Sequence, residues 1–161
     1  MEKNEREQIM KQFIIINFGQ EHFGIDIKFV QNIIRMQSIT RVPKAPSYLK
    51  GVINLRGDII PVISLREKFG LNTDEITNST RIIIVDLEQN PMGFIVDEVR
   101  EVVQIPEDSI QKSIYDAKDE KSAFLSSVGK NGDELISILN LDTIINGNKS
   151  DSDEEEESNN N

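Results

Sequence analysis

From Phe13 onward the chain is a series of short apolar runs, dominated by isoleucine and valine, that Gly, Pro, Asn and Asp interrupt before any of them can grow long. β-branched side chains lose rotamer freedom in a helix and pack well on a pleated sheet, so this punctuation favours many short strands over a few long helices. Strands are predicted at Phe13–Phe18, Phe23–Ile25, Gly51–Leu55, Asp58–Ile63, Arg81–Leu87, Met92–Val96, Val99–Ile105, Ala123–Val128 and Glu134–Leu139. Turns are predicted at Gly19–His22, Arg56-Gly57, Asn90-Pro91, Asp97-Glu98 and Asn131-Gly132. Short strands at close intervals, not alternating with long helices, point to barrels.

Two helical readings interrupt the β pattern. Ile27, Val30 and Ile34 fall at offsets of three and four, with Phe29, Ile33 and Met36 on a neighbouring face. That spacing predicts a helix over 27–36, with Asp26 at its N-terminus and apolar residues on more than one side. Leu65–Phe69 fits one helical turn stopped by Gly70, and Asn140–Asn146 a short closing helix. Val42-Pro43-Lys44-Ala45-Pro46 is extended, because a proline keeps its predecessor out of the helical region. Pro61, inside a strand, belongs at an edge or a bulge. The polar stretch Leu71–Thr80 is the best internal boundary, and Glu107–Ser122 is polar and weakly patterned.

Of the 161 residues, 37% are apolar, enough for one ordinary domain or two small ones sharing a core. The net charge is −10, and Gly147–Asn161, with six acids and one lysine, holds half of it. A body that is mildly acidic has no basic footprint for nucleic acid or an anionic membrane surface. There is no cysteine, hence no disulfide, thiolate ligand or thiol nucleophile. No signal core precedes the first strand, and no stretch reaches the ~20 apolar residues that span a bilayer. The expectation is a soluble cytoplasmic protein with a flexible segment 1–11, a folded domain 12–146 and a disordered acidic tail 147–161.

No catalytic constellation stands out. His22 is the only histidine and reads as a turn residue without an acid, nucleophile or co-ligand nearby. Asp97-Glu98 and Asp133-Glu134 fall at turns, where short acids bond their own backbone. The acidic run Asp151–Glu157 lacks a glycine-pivoted calcium loop, and there is no phosphate-cradling glycine motif. The chain reads as a non-enzyme with no cofactor and no metal.

One stretch carries a specific signal. Thr40-Arg41-Val42-Pro43-Lys44-Ala45-Pro46 leads into Gly51-Val52-Ile53-Asn54-Leu55-Arg56-Gly57, then Pro61-Val62 and Leu65-Arg66-Glu67-Lys68-Phe69. Phe23–Ile27, Gly93-Phe94-Ile95-Val96-Asp97-Glu98-Val99 and Asp133–Leu141 follow the same order and spacing around it. Over residues 12–146 this pattern resembles the CheW family of chemotaxis coupling proteins. The resemblance implies two small SH3-like five-stranded β-barrels packed together, with short helices and an apolar groove between them. It implies an adaptor that holds the regulatory domain of a CheA-type histidine kinase, in a two-component pathway, against the cytoplasmic tips of methyl-accepting chemotaxis receptors. The protein would then be recruited to membrane-associated receptor arrays. The alternative is a paralogous scaffold of another chemosensory-type pathway, such as surface motility.

On that resemblance, receptor contacts are expected at Val30, Ile33, Arg56, Val96, Val99 and Val102, and kinase contacts at Asn32, Ile33, Lys50 and Arg56. Arg56 leaves a strand at a glycine turn, where its planar guanidinium either meets a partner carboxylate or carbonyl or pins its own turn through an internal ion pair. Core packing is the competing reading for each of the apolar residues. Ser64 stands where the family usually has aspartate and Asn32 where glutamate is common, changes expected to weaken an ion pair with a partner.

Overall fold

The structure, a computed structural model, describes residues 8–112 and 120–147; the expected acidic tail after Gly147 and the segment 1–7 lie outside them. Among the described residues eleven strands fall into two sheets. The chain opens with β1 (Met10–Phe18) and β2 (Glu21–Asp26), crosses on a 3-10 turn at Ile27–Phe29, and builds β3 (Val30–Arg35), β4 (Leu49–Leu55) and β5 (Asp58–Ser64). After the single-turn helix α1 (Leu65–Lys68) come β6 (Arg81–Leu87) and β7 (Asn90–Val96). The chain then returns through β8 (Glu98–Pro106), a 3-10 turn at Glu107–Ser109, β9 (Ile110–Lys112), β10 (Leu125–Asn131), β11 (Glu134–Leu139) and the helix α2 (Leu141–Asn146).

The order is β3-β6-β7-β5-β4 in the five-stranded sheet and β8-β1-β2-β11-β10-β9 in the six-stranded one. The two share a plan. Each has an edge strand entered through a 3-10 turn (β3, β9), a hairpin beside it (β6–β7, β10–β11), a parallel neighbour (β5 on β7, β2 on β11) and a final antiparallel strand (β4, β1). The mostly β reading with two packed subdomains holds. The strand count differs in one sheet, where β8 is added beside β1 and β9 emerges from the polar stretch after Glu107. None of the helices among the described residues is long and apolar enough to cross a membrane.

Why so many strands are apolar on every residue is visible in the packing. On β1, Ile14, Ile16 and Phe18 face the other sheet, whereas Phe13 and Ile15 join Ile105, Ile136 and Ile138 inside the six-stranded sheet's own fold. On β6, Ile83 and Val85 face the seam, and Ile82 and Ile84 pack with Ile53, Ile60, Val62 and Ile95. Each sheet thus curls round a small core and still buries its other face, so simple in–out alternation disappears. The seam is aromatic: Phe18 stacks on Phe23 with centroids 4.1 Å apart, and Phe69 of the turn after α1 meets Phe18 at 5.0 Å and Phe124 at 5.1 Å.

The helix expected over 27–36 is not there. Asp26 does cap, accepting from the Lys28 N–H at 3.1 Å, but what it caps is only the 3-10 turn Ile27–Phe29. The chain then extends as β3, antiparallel to β6. A run of Val-Gln-Asn-Ile-Ile-Arg is β-prone, and β6 is buried from Ile82 to Val85, so its backbone needs a neighbour on that side; pairing wins over coincidental helical spacing. The turn expected at Asn90-Pro91 lies two residues earlier, at Glu88-Gln89, where both residues take positive φ (53° and 65°). His22 lies in β2, past the turn at Gly19-Gln20. β1 begins at Met10, within the segment expected to be flexible, because Met10–Gln12 pair with Gln104–Pro106. Pro61 faces Val52 of β4, and β7 joins the other side of β5 only from Val62, so its missing N–H leaves no neighbour unpaired.

Ser64, set against the family's usual aspartate, is fully buried and caps α1, its hydroxyl accepting from the Glu67 N–H at 3.2 Å. The expectation that this change weakens an ion pair with a partner is therefore corrected: the side chain has no surface to offer. Ser64→Ala should cost about 1 kcal/mol, the usual worth of an N-cap, read as a fall in Tm of a few degrees in thermal melts.

Candidate protein-interaction surfaces

The hairpin between β4 and β5 places one side chain with unusual freedom. Arg56 and Gly57 form its two-residue turn at φ 54° and 91°, a primed turn whose twist suits the flanking strands. Asn54 Oδ1 closes it by accepting from the Gly57 N–H at 3.1 Å. Arg56 is exposed, and among the described residues no carboxylate or carbonyl holds its guanidinium. The turn is therefore pinned by Asn54, not by an internal Arg56 ion pair.

Arg56 and Asn32 line one cleft of 540 Å³ together with Gln31, Ile59, Asp86 and Pro91. Gln31 Nε2 donates to Asp86 at 2.8 Å, and Asn32 Oδ1 accepts from the N–H of Ile33 at 2.9 Å. Ile59 is 61% exposed on the cleft wall. The sequence reasoning passed over it, though the signal was present: in Asp58-Ile59-Ile60-Pro61-Val62 the inward residues are Ile60 and Val62, which leaves Ile59 an isoleucine on the outward phase. Ile33, on β3, is 39% exposed. Lys50 is already engaged, since its Nζ pairs with the largely buried Glu67 carboxylate.

The other expected residues lie elsewhere. Val102 is 51% exposed on β8, at the outer edge of the six-stranded sheet, with Val99 half-buried three residues before it. Val99 and Val30 both pack against the core between the sheets. Val96 is fully buried in β7, so in this conformation it is a core residue with no surface for a receptor. Asn32 and Arg56 are thus brought together, and Val99 and Val102 form a second surface on the other sheet.

Sequence reasoning missed a polar group with several partners. Asp97 stands where the chain passes from β7 back to β8, and it does not bond its own backbone as turn acids often do. Arg66 Nε and Nη2 clasp its carboxylate at 2.9 to 3.1 Å. The Gly19 N–H donates to the same carboxylate at 3.1 Å, and the Asp97 N–H donates to the Asn17 carbonyl at 2.9 Å. The Asp97 hydrogen bond raises the Arg66 pKa, against a smaller opposing effect of burial. Nearby, both oxygens of Asp74 are cut off from solvent without a well-formed hydrogen bond. Burial pushes the Asp74 carboxyl above its usual range, the Ser64 hydroxyl opposing. A raised carboxyl favours the fold when protonated, so this contribution is lost as pH rises from the ordinary carboxylate range through the raised value.

His22 lies on the face of the six-stranded sheet beside Asn17, 3.3 Å from Glu134 Oε1 and from Arg100 Nη1. Among the described residues no group of three or more His, Cys, Asp or Glu is placed to hold a metal ion.

Against known proteins, residues 12–149 match the model of the CheW-like domain. The chain is 33% identical over 143 residues to a chemotaxis protein CheW of Helicobacter pylori, covering 89% of this chain and 86% of that protein. It is 31% identical over 135 residues to the chemotaxis protein CheW of Bacillus subtilis, covering 84% and 86%. Its fold superposes on the crystal structure of the scaffolding protein TtCheW from Thermoanaerobacter tengcongensis with a TM-score of 0.80 at 35% identity, over 87% of this chain and 97% of that one.

Proposed function

The chain belongs to the CheW-like domain family, and from that premise we propose that it is a non-catalytic chemotaxis adaptor that couples a CheA-type histidine kinase to the cytoplasmic tips of chemoreceptors. Its output is geometry: it holds the kinase's regulatory domain beside the receptor, at membrane-associated arrays, without itself crossing the membrane. The folded domain begins with β1 at Met10 and runs to Asn146, flanked by a short N-terminal segment and an acidic tail.

The observation that carries this reading is the pair of separate exposed surfaces. One, on the five-stranded sheet, groups the unpaired Arg56 with Ile59 and Asn32, and Ile33, the next residue of β3, is exposed as well. The other, on the six-stranded sheet, runs along β8 with Val102 and Val99, and Val30 lies beside the seam. An apolar anchor beside a free guanidinium suits an acidic or carbonyl-rich partner, assigned here to the kinase; an apolar strand edge suits the side of a receptor helix. Lys50, at the far end of β4 from Arg56 and paired with Glu67, is not part of the first surface.

Ile59→Asp and Val102→Asp test the assignment on positions where the fold has little to lose. Titration calorimetry with the kinase regulatory domain and with a receptor-tip fragment should show about tenfold weaker kinase binding for the first and about tenfold weaker receptor binding for the second. Loss of both partners with either change, or of neither with both, contradicts two separate surfaces.

A further inference from the structure

The Asp97 carboxylate gathers three distant pieces of chain: the β1–β2 turn through the Gly19 N–H, α1 through Arg66, and the passage from β7 to β8 on which it sits. α1 and β7 belong to the five-stranded side and β1, β2 and β8 to the six-stranded side, so this cluster straddles the seam. β8 starts at the next residue and carries Val99 and Val102. Where Asp97 is held therefore sets where that apolar edge leaves the seam.

Arg66 does not spend its whole fork on Asp97. Nε and Nη2 make the clasp, and among the described residues Nη1 has no acceptor. Eight residues on, in the loop tied to α1 by the Leu71 N–H on the Arg66 carbonyl at 2.8 Å, lies Asp74. Its two oxygens are buried without a proper hydrogen bond, a condition that costs a carboxylate far more than it costs a neutral group. The charges that bear on it include those of Asp97 and Glu67, which repel it, and the Ser64 hydroxyl gives partial relief. Asp74 also bears electrostatically on Arg66 without forming an ion pair with it. A buried acceptor short of donors thus stands near a cation with a donor to spare.

We infer that Arg66 is a positioning residue with two acceptors, clasping Asp97 to hold the β7–β8 corner against the β1–β2 turn, or turning to the buried Asp74 and letting that corner go. The two arrangements exchange one charge-assisted bidentate contact for another, so neither leaves the guanidinium unpaired. In the clasped arrangement β8 is anchored at the residue just before it and presents Val99 and Val102 in a fixed place. In the released one the anchor is gone. The exchange is intrinsic to the fold; its consequence for receptor binding rests on the adaptor reading above.

The test is amide hydrogen exchange at Gly19 and Asp97 in the full chain, because those two N–H groups report the clasp directly. Asp74→Asn removes the second charged acceptor and should slow exchange at both amides about tenfold. Asp97→Asn weakens the first and should speed the exchange of Gly19. A merely structural Arg66–Asp97 pair predicts the second effect but not the first, so unchanged or faster exchange in Asp74→Asn overturns the inference even if Asp97→Asn fails to fold. Receptor-tip binding by the unaltered chain, measured alongside, judges the adaptor reading separately: its absence would sink that reading and leave the exchange result standing.

Discussion

Arg56→Ala should weaken binding to the kinase regulatory domain about thirtyfold, a loss of about 2 kcal/mol, while leaving the melting temperature where it was. The selectivity follows from the turn. Arg56 sits at φ 54°, a conformation that costs any residue with a Cβ, and alanine keeps that Cβ, so the backbone penalty is common to both chains. The guanidinium makes no hydrogen bond or ion pair within the described residues, and the turn is closed by Asn54 instead. Only a partner is left to notice its loss. Titration calorimetry and thermal melts on one preparation decide the matter: a fall in Tm with binding reduced in proportion would mean that the side chain pins the hairpin after all. Normal affinity for kinase and receptor, with normal stability, would remove Arg56 from both surfaces.

The largest effect on stability is expected at Gly51. Its φ of +142° is closed to ordinary residues, and a Cβ there would stand 2.0 Å from the Thr40 carbonyl oxygen and 2.9 Å from Ile39 Cγ2. That same carbonyl accepts from the Val52 N–H at 2.8 Å, and the Thr40 N–H donates to the Val52 carbonyl at 2.9 Å, so the clash falls on the bridge that covers the free edge of β4. Overpacking against backbone has no flexible side chain to give way. Gly51→Ala should therefore cost about 3 kcal/mol or more and lower Tm by roughly 10 °C. A shift below about 3 °C in circular dichroism melts would mean that Ile39–Thr40 can peel away at little cost.

These two positions also show what the sequence could tell and what it could not. Both lie in Gly51-Val52-Ile53-Asn54-Leu55-Arg56-Gly57, the stretch on which the family resemblance was built. The hairpin was legible because Arg-Gly between two apolar runs is local turn chemistry. The role of Gly51 was not, since Thr40 reaches it only after the chain has doubled back. The misread helix at 27–36 has the same origin: helical spacing is a local signal, and β6, which overrides it, lies some fifty residues on. Lone apolar positions fared according to phase. Val102 emerged on the surface and Val96 in the core, although both belong to similar runs, because burial on both faces erases the alternation that would separate them. The Arg66–Asp97 clasp joins residues 31 apart, and no spacing rule points to it.

The return of the chain to its first sheet has a consequence for how the protein is made. Residues 30–96 supply every strand of the five-stranded sheet, so that half can assemble as soon as it leaves the ribosome. β1 and β2 have by then already emerged, but Phe13 pairs with Val103, 90 positions later, and Phe23 with Ser137. Within the buried run Phe13-Ile14-Ile15-Ile16, Ile14 and Ile16 have the finished half to face, but Phe13 and Ile15 must wait for Ile105, Ile136 and Ile138. Such distant pairing closes slowly, and an uncovered isoleucine strand is a template for wrong partners. One face of β1 is thus sheltered only when β8 and β11 arrive, and refolding yield should be limited there, not in the half that carries Arg56.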